Sequence, residues 1–323
     1  MTVLMAYSVR RVQEIGNSLY IALPREWVRR LGLSRGSLVR VAIDSRGALI
    51  VLPVNTESSE SELSEITLDV SKYPNLTRAI VRSYLLGYNV IKVYSRDGVK
   101  PEHREAVSRA CSTLLGLGVV DERYDTITLQ VFTTMKVKLE ELIRRINMIS
   151  QSMYVDLYNT LRSPSRETLH TIMSRDETLD KLYFYAIRVI RSSMRSYKLD
   201  TEPIKLLTYR LLLRNIEEIG DNVKSAARIL LNYMRVNSGI AFKVGEESMV
   251  FSDFVKRLTH LHSVAFKAVL SNDYAKAENC IIEYAVLKGM IGGLLKSCSK
   301  HTRIVMRRYR KILELVRDIA DLV

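Results

Sequence analysis

Residues 15–39 read IGNSLYIALPREWVRRLGLSRGSLV. Gly16-Asn17 supplies a turn able to take φ > 0, and SLYIALP after it is a strand that must stop at Pro24. Proline ahead of REWVRRLG suits a first helical position, Trp27, Val28 and Leu31 share one face of that short helix, and Gly32 closes it. Upstream, SVRRVQEIG sets Val9, Val12 and Ile15 among charged and polar residues. Downstream, GSLVRVAID and GALIVLP form a strand pair joined by a turn at Ser45 to Gly47. Such a module is too small to bury a satisfactory core in one chain, so dimerisation through shared strands is expected. Residues 8–53 carry eight arginines, no lysine and three acidic residues. Guanidinium suits bidentate contact with phosphate and guanine edges. The same arginines can equally form a solvated face, and the module can equally serve dimerisation alone.

Beyond it, VNTESSESELSE at 54–65 is a Ser/Glu-rich run that reads as a linker. Residues 66–134 then alternate: ITLDV, NVIKVYS and TITLQVF as strands, LTRAIVRSYLLGY and EHREAVSRACSTLLG as helices, a small α/β unit. From 135 to 323 strand patterns vanish, and interruptions at SPS (163–165), LDTEP near 200 and VNSGIAFKVGEES (236–248) divide an all-helical bundle of about six helices. The fold class is therefore multidomain and mainly α.

At 323 residues with 47% hydrophobic content, the chain is long enough for two or three domains. No run reaches the roughly 18 apolar residues of a membrane span, and MTVLMAYSVRRV lacks the order of a secretory signal. A cytoplasmic protein without membrane insertion is expected. Cys111, Cys280 and Cys298 are far apart and without metal-type spacing, which reads as unpaired thiols in a reducing compartment. The net charge of +14 favours a polyanionic partner such as double-stranded DNA.

In the helical part, SRDETLDKLYFYAIRVI sets Asp176 and Asp180 four apart, and RNIEEIGDNVKSAARIL does the same with Glu217 and Asp221. On helices each pair projects from one face and can converge on one ion; equally, these acids can pair with Lys181, Lys224 and Arg228. RKILELVRDIADLV repeats the spacing at Glu314 and Asp318, while ENCIIEYAVLKGM keeps Glu283 but has Leu287 where a second acid belongs. His260 and His262 fall on different helix faces and read as packing or surface residues, as do Tyr154, Tyr158, Tyr183 and Tyr185.

RRVQEIGNSLYIALPREWVRRLGLSRGSLVRV, with its G-N-S turn, LP step and L-G-L-x-x-G-S order, resembles the swapped-hairpin DNA-binding domain of AbrB-like regulators and MazE-like antitoxins over residues 8–53. The resemblance implies two interlaced chains on DNA, with Arg10, Arg11 and Arg25 at its basic positions and Asn17 and Ser18 in the turn that approaches the backbone. RNIEEIGDNVKSAARIL and the paired acids resemble the PhoU family over about 135–323. That resemblance implies two three-helix repeats and a divalent or iron-type metal ion on Asp176, Asp180, Glu217 and Asp221, with a second cluster at Glu283, Glu314 and Asp318 incomplete.

The combination resembles archaeal PhoU-related phosphate uptake regulators. It implies a homodimeric DNA-binding transcriptional regulator whose helical part senses or relays phosphate status. A second possibility is an adaptor for a phosphate transporter or sensor kinase, with the hairpins used only to dimerise. A third is a metal-dependent hydrolase on the carboxylates. No P-loop, dinucleotide fingerprint, G-x-S-x-G or H-E-x-x-H occurs, so binding rather than turnover is expected.

Overall fold

A computed structural model describes residues 9–43, 47–54, 65–132, 138–194, 202–236, 247–298 and 300–323. Contacts divide the chain into two compact units, Met1–Glu60 and Ser61–Val323. Most of the expected 54–65 linker and the turn residues Ser45 and Arg46 lie outside the described residues.

The first unit holds two antiparallel hairpins. β1 (Val12–Ile15) pairs with β2 (Ser18–Ile21), and β3 (Val39–Ile43) with β4 (Leu49–Pro53). Gly16 takes φ 65° in the first turn, where a side chain would be strained. The six-residue α1 (Arg25–Arg30) follows Pro24, which stands as N-cap rather than first helical residue, and ends before Gly32 at φ 63°. Two-stranded ribbons are marginal in water. Here Val12, Ile15, Leu19, Ile21, Val41 and Ile43 are all more than half exposed.

The second unit begins with a four-stranded sheet in the order β5-β6-β8-β7. β5 (Glu65–Asp69) runs parallel to β6 (Val90–Tyr94) through the crossover helix α2 (Leu76–Leu85). α3 (Pro101–Thr113) leads to β7 (Leu117–Glu122), which turns back antiparallel as β8 (Thr126–Val131) between β6 and β7. Alternation buries Ile91, Val93, Ile127 and Leu129 against Ile80, Tyr84, Val107 and Ala110. The expected three strands are thus four. β7 lacks the alternating pattern because it is an edge strand exposed along most of its length.

Among the described residues six helices follow: α4 (Leu139–Arg162), α5 (Arg166–Ser193), α6 (Pro203–Val236), α7 (Glu247–Ser271), α8 (Tyr274–Ser297) and α9 (Lys300–Ala320). The break between α4 and α5 is the expected SPS, with Ser165 capping Thr168 N–H. The break between α7 and α8 falls at Asn272, at φ 51°, with Asp273 capping Lys276 N–H.

The burial stripes of α4 to α6 recur in α7 to α9. Ile143, Met153 and Tyr154 correspond to Phe251, Leu261 and His262; Ile172, Leu179 and Ala186 to Cys280, Leu287 and Leu294; Leu213, Ile216 and Val223 to Met306, Tyr309 and Val316. The corresponding residues Tyr154 and His262 touch, ring centroids 6.1 Å apart. The corresponding Glu218 and Lys311 form an ion pair at 3.3 Å. Contact between equivalent positions is the mark of a two-fold arrangement, so the bundle is two three-helix repeats about a pseudo-two-fold passing near these pairs. Tyr154, Tyr158, Tyr183, Tyr185 and His262 are buried packing residues, and the three cysteines are free.

Sheet and bundle meet at Arg188 of α5. α2 ends in a Schellman arrangement, Tyr88 N–H donating to Ser83 O at 3.2 Å and Gly87 N–H to Tyr84 O at 2.9 Å, with Gly87 at φ 93°. Arg188, only 8% exposed, donates to the carbonyls of Tyr84 (2.6 Å), Tyr88 (2.8 Å) and Gly87 (3.2 Å) and to Asn89 Oδ1, and lies over the Tyr84 ring. A cation at a helix C-terminus is favoured by the helix dipole and satisfies carbonyls that the helix itself leaves open.

Candidate functional site

In the first unit, Arg10 and Arg11 directly precede β1, Asn17 and Ser18 form the β1–β2 turn and its exit, and Arg25 opens α1. All five are exposed, and among the described residues none of the three arginines is held in an ion pair. The unit combines an uncovered apolar surface with guanidinium groups free to meet an anion. It does not carry most of the positive charge. Residues 1–60 hold eight Lys and Arg against five Asp and Glu, whereas residues 135–323 hold 32 against 21.

In the second unit, α5 and α6 pack along their length and bring Asp176 and Asp180 beside Glu217 and Asp221. Gly220 permits the approach. A Cβ there would lie 3.2 Å from Asp176 Oδ1 and 3.1 Å from Leu179. Asp176 is 1% exposed, and its Oδ2 meets Lys224 Nζ in a charge contact rather than a well-angled hydrogen bond. Burial raises the Asp176 pKa, and the Lys224 ammonium opposes that rise. Burial lifts Asp180 to about 6, reinforced by the charge of Asp176. Burial likewise lifts Glu217 to about 7, opposed by Arg214, which donates to it at 2.6 Å.

Residues 143–230 match the model of the PhoU domain, and residues 12–59 match that of MazE, the antidote of a bacterial toxin–antitoxin pair. The chain joins a MazE-like module to a PhoU domain. No curated protein and no solved structure matches it. The PhoU match takes in most of the first repeat, including all four acids, and the MazE match takes in every candidate DNA contact except Arg10 and Arg11.

Within the PhoU domain, the four acids stand beside one another with a lysine among them. Among the described residues, no three His, Cys, Asp or Glu side chains are placed to hold a metal ion. The positive charge at the centre of the group is Lys224, which the sequence offers only as one ordinary salt-bridge partner among three. Arg214 and Gly220, which the sequence does not single out, complete the group.

The second repeat departs further. By the burial stripes, Asp176 corresponds to Tyr284 and Asp180 to Lys288; Glu217 corresponds to Arg310 and Asp221 to Glu314. The expected equivalence of Glu283 with the first acid is therefore one residue out of phase. Glu283 turns instead to α7, where Arg257 donates from Nε at 2.8 Å and approaches with Nη2 at 2.7 Å. Glu314 pairs with Arg310 at 3.4 Å, and Asp318 with Arg317. Each of the three acids has its own arginine, and they do not converge.

Proposed function

We propose that the chain is a dimeric DNA-binding regulator of phosphate uptake, in which the MazE-like module contacts duplex DNA and the 61–323 unit relays phosphate status. A MazE-like module joined to a PhoU domain fits a role in phosphate regulation. The observation that carries the finer reading is the exposure of Arg10, Arg11 and Arg25 around the Asn17–Ser18 turn of a module whose apolar side chains are uncovered. The uncovered side chains ask for a second copy of the module, and the arginines for a phosphate backbone. The chemistry is binding without turnover.

An adaptor function is the second reading, favoured by the outward face of α8, where Ile282 (62% exposed) and Val286 (46%) stand clear of the bundle. Partner docking there requires no DNA contact.

The two readings separate in a fluorescence-anisotropy titration of duplex DNA at several salt concentrations. The full chain should bind with a steep salt dependence, and a chain lacking residues 1–60 should lose that binding. Arg10→Ala with Arg11→Ala should flatten the slope of log K against log salt by about 0.9 for each phosphate that is no longer neutralised. An unchanged slope rejects these two arginines as phosphate ligands, and full affinity in the truncated chain rejects the module as the DNA-binding element. Enrichment of fragments upstream of phosphate-transport genes among bound genomic DNA tests the pathway.

A further inference from the structure

The PhoU domain contains a cation of its own inside the carboxylate group. Lys224 extends from α6, one turn beyond Gly220, toward α5, and its side chain is 24% exposed while its partner Asp176 is 1% exposed. Burial works against the ammonium, yet contact with Asp176 and the charges of Asp180 and Asp221 raise its pKa above the ordinary lysine value. One lysine thus answers three of the four acids, and Arg214 answers the fourth. Asp176 Oδ1 lies against Gly220, where a Cβ would come within 3.2 Å of it.

The second repeat argues that this placement belongs to the design of the bundle. Lys224 corresponds to Arg317 by the α6 and α9 burial stripes, and Asp176 corresponds to Tyr284. Arg317 lies over the Tyr284 ring, 5.4 Å from its centroid. In both repeats a cation on the third helix reaches the same position of the second helix. In the second repeat that position bears an aromatic ring in place of a carboxylate, and Arg317 takes its ion pairs from Asp318 and Asp321 on its own helix, so the cation reaches the second helix without an acid there to draw it. A lysine that merely relaxed into a vacated ion position would have no such counterpart.

We propose that Lys224 stands in place of a metal ion in this PhoU domain, making Asp176, Asp180, Glu217 and Asp221 a lysine-neutralised group that admits a divalent ion only when the ammonium is withdrawn. Whether the MazE-like module binds DNA does not bear on this proposal. The ammonium and a divalent ion compete for the same oxygens, since both need the Asp176 carboxylate and repel each other at contact distance.

The test uses the full chain, titrated with Mn²⁺ by calorimetry after exhaustive dialysis against a chelator. The wild type is expected to show no saturable site at this group. Lys224→Met keeps an apolar stem over the α5–α6 seam and removes the charge. It is expected to gain one Mn²⁺ per chain, at least ~100-fold tighter than the wild type, the size expected from removing one unit charge about 4 Å away at a partly screened site. The gained site should disappear when Asp180→Asn is added to Lys224→Met. A wild-type Mn²⁺ site that is lost in Asp180→Asn overturns the proposal, and so does a folded Lys224→Met chain that gains no ion. Circular dichroism establishes folding. Should Lys224→Met not fold, Lys224→Gln provides the same charge change, and the wild-type titration decides independently.

Discussion

Arg188→Ala is expected to destabilise the 61–323 unit by about 4 kcal/mol, the range for removing one partner of a buried, charge-assisted network. The change takes the donor from the buried Gly87 carbonyl and the partly buried Tyr88 carbonyl, leaves the Tyr84 carbonyl with Gly87 N–H alone, and removes the guanidinium from the Tyr84 ring. Arg188→Lys should recover only part of the loss, because an ammonium lacks the planar fork that serves several acceptors at once. Chemical denaturation of the full chain, followed by circular dichroism, measures both variants. A loss below about 1 kcal/mol for the alanine variant, the value of a single ordinary hydrogen bond, contradicts the role given to this arginine.

The second large effect is on pH dependence. Asp180 and Glu217 have pKa values lifted from 3.8 to about 6 and from 4.5 to about 7. Between roughly pH 4 and pH 7 the native state therefore holds protons that the unfolded chain has released, and stability falls as pH rises through this window. It is fully present below the unfolded values and lost above the folded ones. Asp176, also raised, acts in the same direction. Fully buried groups with these shifts would each contribute about 3 kcal/mol; discounting for partial exposure and the neighbouring Lys224 and Arg214 leaves on the order of 3 kcal/mol for the pair. The thermal midpoint should be higher at pH 5 than at pH 8, and Asp180→Asn with Glu217→Gln should remove most of the difference. A double variant with the wild-type pH profile would place the titration elsewhere.

What the sequence makes legible is what local chemistry decides. The Gly16-Asn17 turn, the Pro24 stop and the Gly32 closure punctuate the MazE-like module within a few residues of the elements they bound, and all five elements follow. The α/β strands with clear alternation are equally visible. β7 is not, since LGVVDE has only two consecutive valines and little burial to impose a pattern. The SND break between α7 and α8 hides because Asn272 and Asp273 form a cap without proline or glycine. Spacing of four residues brings Asp176 with Asp180 and Glu217 with Asp221, but spacing says nothing of helix rotation. Whether Glu283 or its neighbour Tyr284 faces the seam depends on burial across helices, and a one-residue difference in phase exchanges an acid for an aromatic. Arg188 is the extreme case, because its acceptors lie about a hundred residues earlier in the chain and no local pattern announces them.

The outward face of α8 also bears on how the bundle comes apart. Gly289, Gly292 and Gly293 sit within that helix, and a Cβ at any of them meets nothing within 4 Å. Glycine inside a helix costs about 1 kcal/mol relative to alanine through backbone entropy, and no neighbour on that side offsets it. α8 packs between α7 and α9 as its counterpart α5 packs between α4 and α6, but α5 is also fastened by Arg188 to the sheet. The two repeats therefore share one core plan and differ in what secures the middle helix, and partial opening of the bundle is expected to start at α8, read as faster amide hydrogen exchange there than in α5.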